Sequence, residues 1–192
     1  NGTTGPYERE RYSEKHIDTM ITDKIKFAPQ YAKADSKTFA EAGVEVKGIA
    51  PERLWRNLTN ISVWPRFDDR IVDIQYEDSA DNDPHLFDKA EFNFMLSDGR
   101  KVVGSVIDFV HPKDDRVGRL AIKGTVFDGE KQINELVAEF MVGVPENDKT
   151  EKLDMGAALS FKEEADNATT CNYGDSLEAF LRNLTAWSEK HS

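Results

Sequence analysis

Asp108, Arg119, Glu135 and Glu139 interrupt runs that are otherwise apolar. A carboxylate held near a guanidinium inside an apolar pocket can orient a ligand or move a proton, so chemistry is sought first at these four. Glu135 and Glu139 alternate with Leu136, Ala138 and Phe140, which in a strand sends them to the outer, solvated face. Asp108 and Arg119 are kept as the polar candidates for a pocket wall. A metal is sought next, in the acidic run Asp78-Ser79-Ala80-Asp81-Asn82-Asp83-Pro84-His85. Asp81, Asp83 and His85 alternate there as in a calcium loop. Leu86, however, stands where the turn needs glycine, and Phe92 where the bidentate glutamate belongs. The run reads as a solvated hairpin loop, and no metal site is expected. His16, His85, His111 and His191 form no H-E-x-x-H pair, and neither G-x-S-x-G nor a Gly-rich phosphate loop occurs. Cys171 is the single cysteine, so there is no C-x-x-C motif and no internal disulfide. No cofactor is expected.

The chain has 192 residues, 39% hydrophobic and 32% charged, which describes a globular domain with room for an extension. A net charge of −11 argues against nonspecific binding to nucleic acid or to anionic membrane. No apolar run reaches the length of a membrane span. A cytoplasmic location fits, and a secreted chain without disulfides fits as well. Asn1, Asn57, Asn60, Asn167 and Asn183 begin N-x-S/T triplets, read here as chance.

The elements that would position any site follow from periodicity. Residues 1–37 are read as an N-terminal extension, partly helical, with Ile17, Met20, Ile21 and Ile25 at helical spacing. It is expected to pack on the outside of the domain rather than to act as a lid or a partner-binding arm. Residues 38–192 then form one domain. Val44 to Ile49 reads as a strand. Pro51 suits the first turn of a short helix that presents Leu54, Trp55 and Leu58 on one face, with Asn60 as its stop. Arg70 to Tyr76 reads as a second strand. The alternation of Ala90, Phe92, Phe94 and Leu96 marks a third, and Ser97-Asp98-Gly99-Arg100 is a hairpin turn into a strand over 101–110. Further strands are read over 118–126, 132–143 and 153–161, with Asp128-Gly129 as another tight turn. Asp175 and Glu178 form a capping box for a last helix, whose stripe is Leu177, Phe180, Leu181, Leu184 and Trp187. An α+β helix-grip fold is therefore expected: a curved antiparallel sheet wrapped around a long C-terminal helix, with two short helices after the first strand.

The segment from Ala50-Pro51-Glu52-Arg53-Leu54-Trp55 to Val63-Trp64-Pro65-Arg66-Phe67, together with the terminal helix, resembles the polyketide cyclase/dehydrase-like branch of the START-related (SRPBCC) ligand-binding superfamily. The resemblance spans roughly residues 39–190. It implies an apolar cavity between sheet and final helix and a role among small-molecule binders, lipid carriers or aromatase/cyclases. It carries over no catalytic residue. The alternative fold, a cone-shaped α+β domain like nuclear transport factors, ends in strands, against which the capped final helix argues.

Binding of a small hydrophobic or aromatic ligand is the expectation carried forward. Its alternatives are an aromatase/cyclase-type enzyme acting on a polyketide-like substrate, and a protein-interaction module without a small ligand. A homodimer is left open. The expected pocket measures roughly 300–1,000 Å³. Its expected ligand-binding residues are Trp64, Phe67, Phe92, Phe94, Asp108, Arg119, Leu136, Phe140 and Leu184.

Overall fold

Gly48 sets the first boundary. Its φ of +78° lies in the left-handed region that favours glycine, and the strand before it ends at Lys47. In this computed structural model the described residues are 38–76, 83–113, 116–143, 152–163 and 173–191. The expected helix within 1–37, Asp78 and Asp81 of the acidic loop, and Cys171 lie outside them.

Strand β1 runs Thr38–Lys47, so it starts before Val44 and stops short of Ile49. Ala50 is extended, with ψ of 144°, as a residue before proline must be, and Pro51 opens helix α1 (Pro51–Thr59). Leu54, Trp55 and Leu58 are buried as the stripe requires, and Asn60 closes the helix. Asn57 is buried too. Its amide donates to Ser188 Oγ at 2.9 Å and to the His191 carbonyl at 3.2 Å, tying α1 to the end of the chain. A 3₁₀ turn (Ile61–Val63) leads to a one-turn helix, α2 (Trp64–Phe67).

Six strands follow: β2 (Ile71–Gln75), β3 (Glu91–Leu96), β4 (Lys101–Val110), β5 (Gly118–Asp128), β6 (Lys131–Gly143) and β7 (Lys152–Glu163). They join β1 in one curved antiparallel sheet of order β1-β7-β6-β5-β4-β3-β2. Gly99 and Gly129 turn the tight hairpins at φ of +95° and +63°. Edge strand β2 starts one residue after Arg70 and ends one before Tyr76, and within it the register with β3 shifts between Val72 and Gln75, where Asp73 sits at φ +49°.

Helix α3 (Tyr173–Lys190) closes the chain. It begins two residues ahead of Asp175, which therefore lies in the first turn and not in the expected capping position. An acidic residue is favourable anywhere in that turn, so the sequence signal locates the helix end without fixing its first residue. Leu177, Phe180, Leu181 and Leu184 are buried, and α3 packs against β1, β7, α1 and α2. The sheet grips the helix, as expected. Among the described residues no helix is long and apolar enough to cross a membrane.

Candidate functional site

One row of residues across the concave face prepares a hollow. The register sets Phe92 opposite Gly104, Gly104 opposite Gly124, and Gly124 opposite Leu136. Large side chains thus flank two glycines. A Cβ at Gly104 would come within 2.7 Å of the Phe92 ring, and one at Gly124 within 3.2 Å of Leu136. Both large side chains therefore recline over the glycines, leaving the space between sheet and α3 unfilled. Interiors otherwise reach crystal-like density, so a void of this kind has a structural cause.

The resulting pocket has a volume of about 410 Å³. Strand β3 contributes Phe92 and Phe94, whose rings stack at 6.2 Å with only 6° between their planes. Strands β4 and β5 add Val102, Ile122 and Val126; β6 adds Leu136, Ala138 and Phe140. From α3 come Leu177 and Phe180. Trp64 stands edge-on to Phe92, Phe94 and Phe180 at 6.2, 6.3 and 5.4 Å. Its indole N–H donates to the Leu58 carbonyl at 2.9 Å, which satisfies the one polar atom of the ring and fixes its orientation.

The polar part of the lining is Asp68, Arg70, Ser97, Asp98 and Arg100, where the α2–β2 connection meets the β3–β4 hairpin. Asp98 is exposed and Arg70 half-buried, so this is the solvent side of the pocket. Asp68, by contrast, is buried and grips Arg70 through both carboxylate oxygens, which holds the arginine firmly in its charged form.

Of the nine residues expected at the site, Trp64, Phe92, Phe94, Leu136 and Phe140 stand on the pocket wall. Phe67, Asp108, Arg119 and Leu184 do not. Phe67 packs against Phe180 and Trp187 at 5.3 and 6.4 Å. Leu184 is fully buried in the core, one turn past Phe180. Asp108 is displaced by a bulge. Val106 pairs with Ile122, but Asp108 pairs with Ala121, so one extra residue reverses the alternation of β4. Asp108 is thereby sent to the outer face, and Phe109 turns inward onto Trp55 at 5.3 Å. Arg119 alternates with inward Leu120 and also faces out, where it pairs with Glu139 at 3.0 Å.

Glu139 is on the outer face as its alternation requires, yet it is 4% exposed and not solvated. Burial pushes its carboxyl up to about 7, against the opposing pull of the Arg119 guanidinium and with a smaller push from Asp108. In the acidic loop, Asp83 accepts from the backbone and the ring of His85, which keeps its carboxyl below the usual range. Among the described residues no three His, Cys, Asp or Glu side chains gather as a metal site would need.

In the sequence Ser97, Asp98 and Arg100 read as hairpin chemistry and Arg70 as the first residue of a strand, so nothing marks them as a pocket mouth. Asp-x-Arg occurs three times, at 68–70, 98–100 and 114–116, and the first two stand directly before β2 and β4.

By sequence, neither a protein-family model nor a curated protein matches the chain. Solved structures do match in fold. Hypothetical protein jhp0584 from Helicobacter pylori is similar at TM-score 0.71 and 22% identity, over 85% of this chain and 95% of that one. Protein MLL2253 from Mesorhizobium loti is similar at TM-score 0.57 and 13% identity, over 81% of this chain and 99% of that one. Norcoclaurine synthase from Thalictrum flavum, in complex with dopamine and hydroxybenzaldehyde, is similar at TM-score 0.56 and 7% identity, over 88% of this chain and 95% of that one. At these identities the likeness is one of architecture, and the chain has the helix-grip fold.

Proposed function

We propose that this protein binds a small hydrophobic or aromatic molecule in the pocket between its sheet and α3. One observation carries the proposal: a hollow of about 410 Å³, walled by aromatic and aliphatic side chains, is kept open by the reclining of Phe92 and Leu136 over Gly104 and Gly124. Its size and its few polar groups suit a small ligand. The two aromatic molecules held by the norcoclaurine synthase structure support this ligand class. The cyclase alternative needs one or two acid/base groups in the pocket and has no residue assigned to that role, while Asp108 and Arg119, the polar groups expected on the pocket wall, do not stand on it. Binding is the reading that the apolar wall supports directly.

Titration with a neutral fluorescent probe, N-phenyl-1-naphthylamine, tests it. Saturable one-to-one binding is expected, weakened by Phe94→Ser or Phe140→Ser. If neither this probe nor a broad panel of apolar and aromatic compounds bound to the folded protein, the ligand-binding proposal would fall and a protein-interaction module would remain.

A further inference from the structure

The convex face of the sheet carries a buried strip that the helices do not explain. In β6, Val137, Glu139 and Met141 alternate with Leu136, Ala138 and Phe140, which line the pocket, so they point to the opposite face. They are nevertheless only 2%, 4% and 1% exposed, and Ala121, which pairs with Glu139 from β5, is 4% exposed. Cross-strand neighbours do not account for this. On the β7 side the register sets Ser160, Ala158 and Gly156 beside Val137, Glu139 and Met141, and residues of that size cannot close over a valine or a methionine. All three helices lie on the other side: the concave face grips α3, and α1 and α2 pack against α3. On β4, two strands away, Val103 of the convex face is 41% exposed, so the cover does not extend across the whole sheet.

These burials arise within a single chain, so the cover belongs to the chain itself. Outside the described residues, 77–82 join β2 to β3 at the far edge of the sheet, and 114–115 are two residues between β4 and β5. Residues 144–151 and 164–172 are connections of eight and nine residues at opposite ends of β7, each tied at both of its own ends. Residues 1–37 are long enough. They enter the sheet at Thr38 on edge strand β1, two strand spacings or roughly 10 Å from β6. Their sequence also supplies a matching surface. Ile17, Met20, Ile21 and Ile25 fall at i, i+3, i+4 and i+8, which in a helix is one stripe about 12 Å long. Val137 to Met141 spans about 13 Å of strand. The residues after the stripe, 26–37, can bridge up to about 40 Å when extended. Residues 1–37 carry seven Lys or Arg against six Asp or Glu, while the rest of the chain carries 18 against 30, so the acidic domain does not repel the segment.

We propose that residues 1–37 dock on the convex face as an amphipathic helix, whose stripe of Ile17, Met20, Ile21 and Ile25 covers Ala121, Val137 and Met141 and seals the Arg119–Glu139 pair from water. On this placement the extension braces the sheet from the side opposite the pocket and is not a lid over its mouth. The ligand-binding reading stands or falls separately.

Two measurements on the full chain test it, both in a Cys171→Ser background. In the first, a nitroxide is attached at Thr22→Cys, beside the stripe but off it, and the loss of methyl NMR signals is read. Ala121, Val137 and Met141 should lose most of their intensity, ahead of Ile71 and Leu177 at the pocket. In the second, the thiol of Met141→Cys should react with a water-soluble reagent at least about tenfold more slowly than that of Val103→Cys, and adding Ile17→Asp with Ile21→Asp should bring the two rates to within about twofold. The nitroxide measurement keeps the stripe intact, so it decides even if the aspartate variant fails to fold. Broadening centred on Ile71 and Leu177 would place the segment over the pocket mouth and overturn the proposal, as would no broadening at all. Broadening that appears only between labelled and unlabelled chains in a mixture would give the face to a second copy instead. Equal thiol rates in the native stripe, or protection that survives the aspartate variant, would likewise overturn it.

Discussion

The concave face of the sheet has two ends, and both combine glycines with aromatic rings. At the α1 end the combination fills space. A Cβ at Gly118 would lie 2.8 Å from the Trp55 ring and 2.9 Å from Pro112, Phe109 meets the same indole edge-on, and Leu54, Leu58 and Leu120 are fully buried. At the α2 end the same ingredients leave a hollow, because two glycines are adjacent across β4 and β5 and the side chains on either side recline over them. A single glycine beneath an indole makes a tight joint. A pair of glycines in neighbouring strands removes more volume than their neighbours replace. The pocket thus comes from arrangement and not from any shortage of large residues.

Truncation should cost differently at the two ends. Trp55→Ala is expected to lose about 3–5 kcal/mol in denaturant unfolding, the usual range for a buried aromatic. Leu136→Ala, on a wall that already faces empty space, should lose under about 2 kcal/mol. Comparable losses would mean that the pocket end is as densely packed as the other.

The outer face offers a contrast of another kind. Glu139 titrates near 7 in the native protein and at its ordinary 4.5 when unfolded. Between those values the unfolded chain releases a proton that the native chain keeps. Stability from this group is therefore full below 4.5, falls as pH rises towards about 7, and levels off above it, with a total change on the order of 3 kcal/mol. Glu139→Gln should flatten that part of the profile of melting temperature against pH. An unchanged slope in the variant would place the titration elsewhere.

The smallest expected effect sharpens the glycine argument. Gly104→Ala should destabilise by about 1–3 kcal/mol, because Phe92 is backed by Trp64 and Phe94 and must shift to admit the methyl. Gly124→Ala should cost less, since the Leu136 side chain at 3.2 Å needs to give by only a few tenths of an ångström. Equal costs would show that the two large side chains do not recline as described.

Much of this was legible from periodicity. The alternation in Phe92, Phe94, Leu136 and Phe140 names one face of β3 and β6, and the α3 stripe names its buried side. The hollow row also left a trace, since Gly104 and Gly124 sit mid-strand, where glycine often marks a close approach. Two things were hidden for physical reasons. A bulge changes which residues share a face without changing the composition of the strand, so strict alternation from Val102, Gly104 and Val106 points Asp108 inward while the bulge points it out. The mouth is assembled from two turns that only the β2–β3–β4 register brings side by side, and each turn is complete chemistry by itself.

The central claim is that the two ends differ in capacity to accept a molecule. Methyl-resolved NMR during titration with N-phenyl-1-naphthylamine tests it in one experiment. Methyl shifts should concentrate at Val102, Ile122, Val126, Leu136 and Leu177, which line the pocket, while Leu54, Leu58 and Leu120 at the packed end stay in place. Shifts centred on Leu54, Leu58 and Leu120, or no saturable shift anywhere, would contradict the account.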